Sequence, residues 1–401
     1  MTRQDGLYQW TAIVTTHLPH LSAPQARVLA LWSFGMVLVH SCALTAVAGF
    51  LADLLTQKEN TLRQRLREWC YPAQKKRGAH RCELDVQACF VPLLCWVMSW
   101  WHGQQLALAL DATLLGDVFA VLAVSVVYRG CAIPVAWIVL PANQKGEWRR
   151  HWLHLLRLLR PAIPRSMFVL VMADRGLYAR WLYRRIVRLG WHPFLRINAG
   201  GTFCAEGVAG GFRRLSTFVP QAGTQWRGRG TAFKKRRSQL SCTLLAYWQA
   251  DMAEAWLILT DLAPVVCDVA WYGLRAWIEQ GFKITKRGGW QWQRTRMTDP
   301  ERASRLWLAV AVATLWLLSV GGEAEETIPE STFPDLMPTP TLGPGKKRRP
   351  VQATRLRITS AFRRGWVRLL VALLGHEPLP EGRFIPEPWP ESRPLAEVAI
   401  I

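Results

Sequence analysis

The chain has 401 residues, half of them hydrophobic, with 50 Lys and Arg against 28 Asp and Glu: a formal charge of +22 and a pI near 10.3. That length holds two or three domains and a sizeable core, and that charge points to a polyanionic partner, nucleic acid first and an anionic membrane second. The 9 Cys include no C-x-x-C pair, so neither a zinc knuckle nor a disulfide framework is indicated.

Met1 to Trp10 lacks the charged-then-apolar design of a signal peptide, so a reducing cytoplasm is expected. Val28 to Ala52 is a long uncharged run, sufficient in length to cross a bilayer, where about 20 apolar residues are needed. It contains Ser33, His40, Ser41, Thr45 and two glycines, and it leads into a polar turn, Thr56 to Asn60. A short helix with one basic face follows, Thr61 to Trp69. Helix, polar turn and basic helix is the outline of a helix-turn-helix, and a buried helical DNA-binding domain over 1–103 is preferred to a membrane anchor. The loop Gln74–Arg81 is either a phosphate-contacting patch or a solvated loop. His80, Cys82 and Cys89 hint at a metal site, but structural thiols are the better reading.

After one more apolar helix near Cys89–Trp101 the pattern changes. Leu106 to Asp111 is a short apolar run ending in an acid. Val118–Tyr128 and Ile133–Leu140 are β-rich runs around the hairpin signal Arg129-Gly130. Glu147–Arg160 has helical periodicity and Pro161 ends it. Ser166 to Asp174 is a second buried strand ending in an acid, followed by a helical stretch, Leu177–Leu189, and a strand, His192–Ile197. This order predicts a mixed α/β sheet with helices, and it matches the ribonuclease-H-like fold over 104–198.

From Ala199 to about Ala253 glycines increase and helical periodicity vanishes, while Arg213, Arg214, Arg227, Arg229 and Lys234–Arg237 sit among Trp226 and Phe233. Leu240–Trp248 and Trp256–Thr260 read as strands, so 199–254 is expected to be a β-rich insertion. The catalytic domain resumes over 255–322, with a helix from about Pro264 through Lys286 and another over Glu301–Val320. From Glu323 the chain is Pro-rich, with a basic cluster at Lys346–Arg349, and is expected to be a flexible tail, 323–401, in which Phe362–Leu374 has the makings of a short helix. The 22 Trp are either core or, among arginines, stacking platforms for bases; composition does not separate the two.

Asp111 and Asp174 close the two clearest buried strands, a costly place for a carboxylate unless it is hydrogen-bonded or holds a cation. Asp117 is the nearest rival to Asp111, but it stands where the polypeptide is already turning. Downstream, Tyr272, Arg275, Glu279 and Lys286 follow the spacing Y-x2-R-x3-E-x6-K and fall near one helical face. Alone, this reads either as a solvated helix with one i,i+4 ion pair or as a face that meets a metal ion and phosphates.

With both Asp residues upstream, the spacing resembles the signature of the insertion-sequence-four family, bacterial cut-and-paste members of the DDE transposase group. The resemblance covers roughly Leu106 to Val320. It implies that Asp111, Asp174 and Glu279 are the catalytic acids and ligands for two Mg2+ ions, or Mn2+ in their place. It implies that Tyr272, Arg275 and Lys286 contact phosphates of the terminal nucleotides, that Arg294 and Arg296 (with Arg302 and Arg305) face DNA, and that the insertion before Glu279 is β-rich. Ala-Asp174-Arg175 is similar to the family's second-acid motif, with Arg175 either clamping a phosphate or pairing with a carboxylate. Trp256 resembles the indole on which some relatives stack a flipped base, though a core Trp there, or Trp226 or Trp248 in that role, remains open.

The expectation is a DNA transposase working through metal-dependent strand cleavage and strand transfer. Its partners are double-stranded DNA, both element ends and target, and a second copy of the chain; neither a membrane nor a small-molecule substrate is expected. It is placed in the cytoplasm on the nucleoid. A nuclease of the same fold that never joins strands, a basic membrane-associated protein and an inactive DNA-binding copy are the alternatives.

Overall fold

The computed structural model describes residues 3–77, 81–144, 148–326 and 359–400. Lys346–Arg349 and His80 lie outside these, as does part of the Gln74–Arg81 loop. Four helices open the chain: α1 (Arg3–His17), α2 (Ala23–Val39), α3 (Leu44–Leu55) and α4 (Glu59–Trp69). The uncharged run that sequence length made a candidate membrane span is split between α2 and α3, which meet at 95°. His40, at φ 52, ends α2 in the left-handed region, and most of α2 is buried. α4 buries Leu62, Leu66 and Trp69 and leaves Arg63 and Arg67 exposed, as an amphipathic helix with a 3.6-residue period must.

After α5 (Phe90–Ser99) come β1 (Gln105–Leu115), β2 (Phe119–Tyr128) and β3 (Cys131–Pro141). The hairpin between β2 and β3 turns through Arg129 and Gly130, both at positive φ, which is what a two-residue turn between twisted strands requires. α6 (Trp148–Leu159) leads to β4 (Phe168–Ala173), and α7 (Arg180–Arg188) to β5 (His192–Arg196). The strands β6 (Thr202–Ala205), β7 (Arg213–Arg214), β8 (Thr224–Ala232), β9 (Leu240–Trp248) and β10 (Trp256–Thr260) follow. Then come α8 (Ala276–Lys283), α9 (Pro300–Glu326), α10 (Ala361–Leu374) and the short β11 (Ala396–Glu397).

All the strands form one sheet in the order β3-β2-β1-β4-β5-β10-β9-β8-β6-β7, with β11 on β8. The expected β-rich insertion is therefore continuous with the first five strands: β10 pairs with both β5 and β9, so the insertion's strands extend the sheet edge. β1, β4 and β5 are parallel, and β3 runs with them because β2 is antiparallel to both β1 and β3. The crossovers through α6 and α7 are expected to share one hand and therefore one face of the sheet. On β9, Cys242 couples electrostatically to Tyr183 of α7, whereas Tyr247, an odd number of residues on, couples to Asp268 at the head of the turn into α8. Successive side chains alternate across a strand, so α7 and that turn cover opposite faces.

Two expectations are corrected at the C-terminal side. The helix foreseen from Pro264 begins at Val269 as a tight 3-10 turn, becomes α8 at Ala276 and widens into a π turn at Ile284–Gly288. Residues 359–400, expected to be flexible, fold back on the body. α10 buries Phe362 and Leu369, Phe384 is fully buried, and Trp366 donates Nε1–H to the Val37 carbonyl. α9 is long and apolar enough to cross a membrane, yet its whole apolar window is buried inside the protein. Much of the tryptophan serves this core: Trp10 stacks on Trp316 at 3.8 Å, and Trp32, Trp96, Trp137, Trp152, Trp290, Trp292 and Trp307 are buried.

Candidate active site

The β1–β4 ladder places the first two acids side by side. Its last parallel pair is Leu110 with Ala173, so Asp111 and Asp174 are the next residue on each strand. Asp111 is not at a strand end, as sequence implied: β1 runs on to Leu115 because it keeps pairing with β2 after β4 has stopped. What ends at Asp111 is its cover from β4. Each aspartate has one oxygen fixed by the backbone. Ala112 N–H donates to Asp111 Oδ1 at 2.8 Å, and Gly176 and Leu177 N–H donate to Asp174 Oδ1 at 2.9 and 3.1 Å.

The other oxygen of each meets Arg275. Its Nη2 lies 2.9 Å from Asp111 Oδ2 and 3.6 Å from Asp174 Oδ2, and its Nη1 donates to Glu279 Oε1 at 2.6 Å. One planar fork thus reaches all three acids, hydrogen-bonding Asp111 and Glu279 and lying at ion-pair distance from Asp174. Of the two readings of this helical face, the i,i+4 ion pair is present: Arg275 contacts Glu279, and the phosphate contact that the family resemblance implies is a separate matter of the DNA-bound state. Lys286 is half-buried and feels the Asp111 charge, though burial and the neighbouring Arg287 lower its pKa.

Three carboxylates around one guanidinium leave two negative charges uncompensated, offset in part by Lys286. Asp111 is the most enclosed, and burial raises its pKa to about 6 against the opposing pull of Arg275. Among the described residues no three His, Cys, Asp or Glu groups stand in ready metal-ligating geometry; the guanidinium holds the central position. The donor set nonetheless fits a hard divalent cation: three oxygen ligands, two of them pre-aimed by backbone N–H groups, with excess negative charge.

This excess predicts a stability gain on mutation. The folded-state pKa of Asp111 lies above the ordinary carboxyl value, so the folded chain binds the extra proton between about pH 4 and 6 and loses that stability as pH rises through the window. Asp111→Asn is expected to stabilise the protein by about 3 kcal/mol at pH 7.5 in chelator and by little at pH 4. Thermal denaturation at the two pH values checks it; an equal difference at both would remove the proton linkage.

The remaining site residues are distributed around this centre. Tyr272 is buried, its hydroxyl pushed up to about 12 by burial, and its ring meets Trp256 edge to face at 5.2 Å. Trp256 is half-buried in β10, while Trp226 packs on Phe218 and Trp248 donates to the Met252 carbonyl. Arg175 pairs with Glu254 at 2.7 Å, the carboxylate alternative of its two readings. Arg294 and Arg296 are exposed and line a cleft of about 650 Å³ with Arg63 and Arg67 of α4 and Arg302, whose guanidinium lies 4.2 Å over Tyr71. Arg305 is a correction: it is buried, donating to the Leu84 and Cys70 carbonyls and pairing with Glu83, and so is structural. All nine cysteines are free, and Cys89 lies 3.3 Å from His20.

Residues 119–316 match the transposase DDE domain family, which supports a DDE transposase. Asp174 and Glu279 fall within the match and Asp111 ahead of it. No curated protein matches the chain. Among solved structures, the piggyBac transposase synaptic complex with hairpin DNA is similar with a TM-score of 0.40 and 9% identity, over 78% of this chain and 71% of that one.

Proposed function

We propose that the protein is a DNA transposase of the insertion-sequence-four type, built on a ribonuclease-H-like sheet, that frees the 3′-hydroxyls of its element ends and joins them to target DNA. The observation that carries this reading is the convergence of Asp111, Asp174 and Glu279 on one cation, where the parallel pairing of β1 and β4 ends. Asp111, Asp174 and Glu279 would hold two Mg2+ ions, or Mn2+. Such ions activate an attacking water or 3′-hydroxyl and stabilise the leaving oxygen of an in-line displacement.

The chain's own groups set the rest. The backbone N–H groups of Ala112, Gly176 and Leu177 orient the aspartates. Arg275, planar and always charged, has a fork suited to a phosphate as well as to carboxylates, so its guanidinium can pass from the acids to the scissile strand's phosphate when the acids are neutralised. Lys286 adds a point charge beside Asp111. Tyr272, enclosed against Trp256, holds its phenol protonated as a donor. Arg294, Arg296, Arg63 and Arg67 line a basic cleft between α4 and the segment after α8, suited to the duplex beyond the cut. Two ends cut in concert call for two copies of the chain on DNA, in the cytoplasm at the nucleoid.

The test is strand transfer. Given Mg2+ and duplexes bearing the inverted repeats that flank its coding region, the protein is expected to nick the ends and to join pre-cut ends to a target plasmid. Nicking without joining would make it a nuclease, and neither activity would overturn the reading.

A further inference from the structure

The face of the sheet opposite Arg275 carries a second strongly basic surface that the proposed chemistry does not use. α6 and α7 bury Trp152, Leu155, Leu156 and Leu159, and Leu182, Tyr183 and Ile186, and turn their arginines outward. Between them runs a groove of about 710 Å³ lined by seven Arg and one His and by no Asp or Glu. Arg149, Arg150, Arg157, Arg184 and Arg188 are exposed. Among the described residues none of the seven forms an ion pair with an acid, which contrasts with Arg129, Arg175, Arg275 and Arg305 elsewhere. Arg185 Nε is enclosed without a hydrogen-bond partner. Arg149 lies 5.6 Å over the Trp181 ring, which ties the two helices together.

Like charges this dense repel one another and cost stability unless an anion lies among them. Their placement says which anion. β3 and β4 run parallel, so α6 starts at the edge of the sheet where Asp111 and Asp174 sit, and so does α7, which follows Asp174 directly. Both helices then run away from that edge. The groove is thus a straight basic track that begins at the acids' edge and descends the opposite face. At 1.5 Å per residue the twelve residues of α6 extend about 18 Å, the length of about five base-pair steps of 3.4 Å. Arg180 donates to the Arg237 carbonyl, which joins the track to the Lys234–Arg237 hairpin between β8 and β9.

We propose that the α6–α7 groove binds the phosphate backbone of a DNA duplex along a second track, on the face of the sheet away from Arg275. This rests on the transposase reading. A regular backbone fits the line of arginines better than a membrane surface does, because the groove is concave and its exposed residues include no apolar side chain to insert into lipid, Val187 on the flank of α7 apart.

The test uses the full chain and a 30-base-pair duplex of unrelated sequence, with affinity measured from 50 to 300 mM salt. Two fourfold variants are compared at Arg150, Arg157, Arg184 and Arg188, one with every Arg→Gln and one with every Arg→Glu. The Gln variant is expected to weaken affinity by about tenfold or more and to flatten the salt slope by nearly four units, about 0.9 for each phosphate no longer neutralised. The Glu variant should weaken it further, and both should melt no lower than wild type, since fewer like charges then crowd the groove. Wild-type affinity and slope in both variants would overturn the second track while leaving the transposase reading intact. Failure of the wild-type protein itself to bind duplex would sink that reading first. Groove-dependent binding to phosphatidylserine vesicles without groove-dependent duplex binding would assign the surface to a membrane and overturn the proposal.

Discussion

Asp111→Asn, Asp174→Asn and Glu279→Gln are each expected to lower Mg2+-dependent strand cleavage by about 10³-fold or more, the several kcal/mol of charge stabilisation that a metal-held acid supplies, while duplex binding stays close to wild type. Each change keeps the shape and one carbonyl oxygen of the side chain. The backbone N–H donors of Ala112, Gly176 and Leu177 therefore retain an acceptor and the strand ends stay in place. What disappears is one negative charge and one hard ligand. The Asp111 variant is the most informative, because Asp174 and Glu279 fall inside the family match and Asp111 does not. Asp117, in the turn between β1 and β2, is the control, and Asp117→Asn should leave cleavage unchanged. Nicking by radiolabelled duplex assay distinguishes the outcomes: full activity in Asp111→Asn with loss in Asp117→Asn would move the first acid into the turn. Retained activity in any one acid variant would remove that residue from the site.

The parts of this site that the sequence made legible share a physical cause. The strands carrying Asp111 and Asp174 are buried in the sheet, so they read as short apolar runs, and an acid after such a run is conspicuous. Glu279 stood out through spacing to Arg275 and Lys286. The rest depended on partners that no local pattern records. That β1 continues past Asp111 is a property of its pairing with β2, and that the β-rich insertion joins the sheet follows from β10 pairing on both sides. The position of Arg275 on three acids needed the tight turn before α8 as well as the helical period. The arginines of α6 and α7 lie in two unremarkable amphipathic helices, and only their parallel packing makes a track of them. Tryptophan composition, equally open to core and base stacking, resolved largely towards core.

The C-terminal segment supplies the second large effect. Gly321→Val or Gly365→Val is expected to destabilise the protein by about 3 kcal/mol or more and to release α10. A Cβ on Gly321 would overlap the Ala361 carbonyl, and one on Gly365 would overlap the Leu317 carbonyl. α9 and α10 thus cross backbone against backbone, with no flexible side chain between them to yield. That close approach is what docks a segment whose Pro-rich approach and mixed charge read as a tail. Around it, Arg129 holds Glu325 at 2.9 Å and also Glu326, and Arg364 reaches Glu325 at 3.5 Å, so a buried acid would lose its setting when the helices part. Gly49→Ala in α3 is the contrast: its Cβ would meet only the Glu59 carboxyl carbon at 3.9 Å, and replacing a helical glycine there should be neutral or stabilise by up to about 1 kcal/mol. Thermal melting and limited proteolysis of 361–374 measure both effects. If Gly321→Val and Gly365→Val melt as wild type with α10 still protected, the two helices do not cross at their backbones, and the docking of 359–400 must come from its side chains alone.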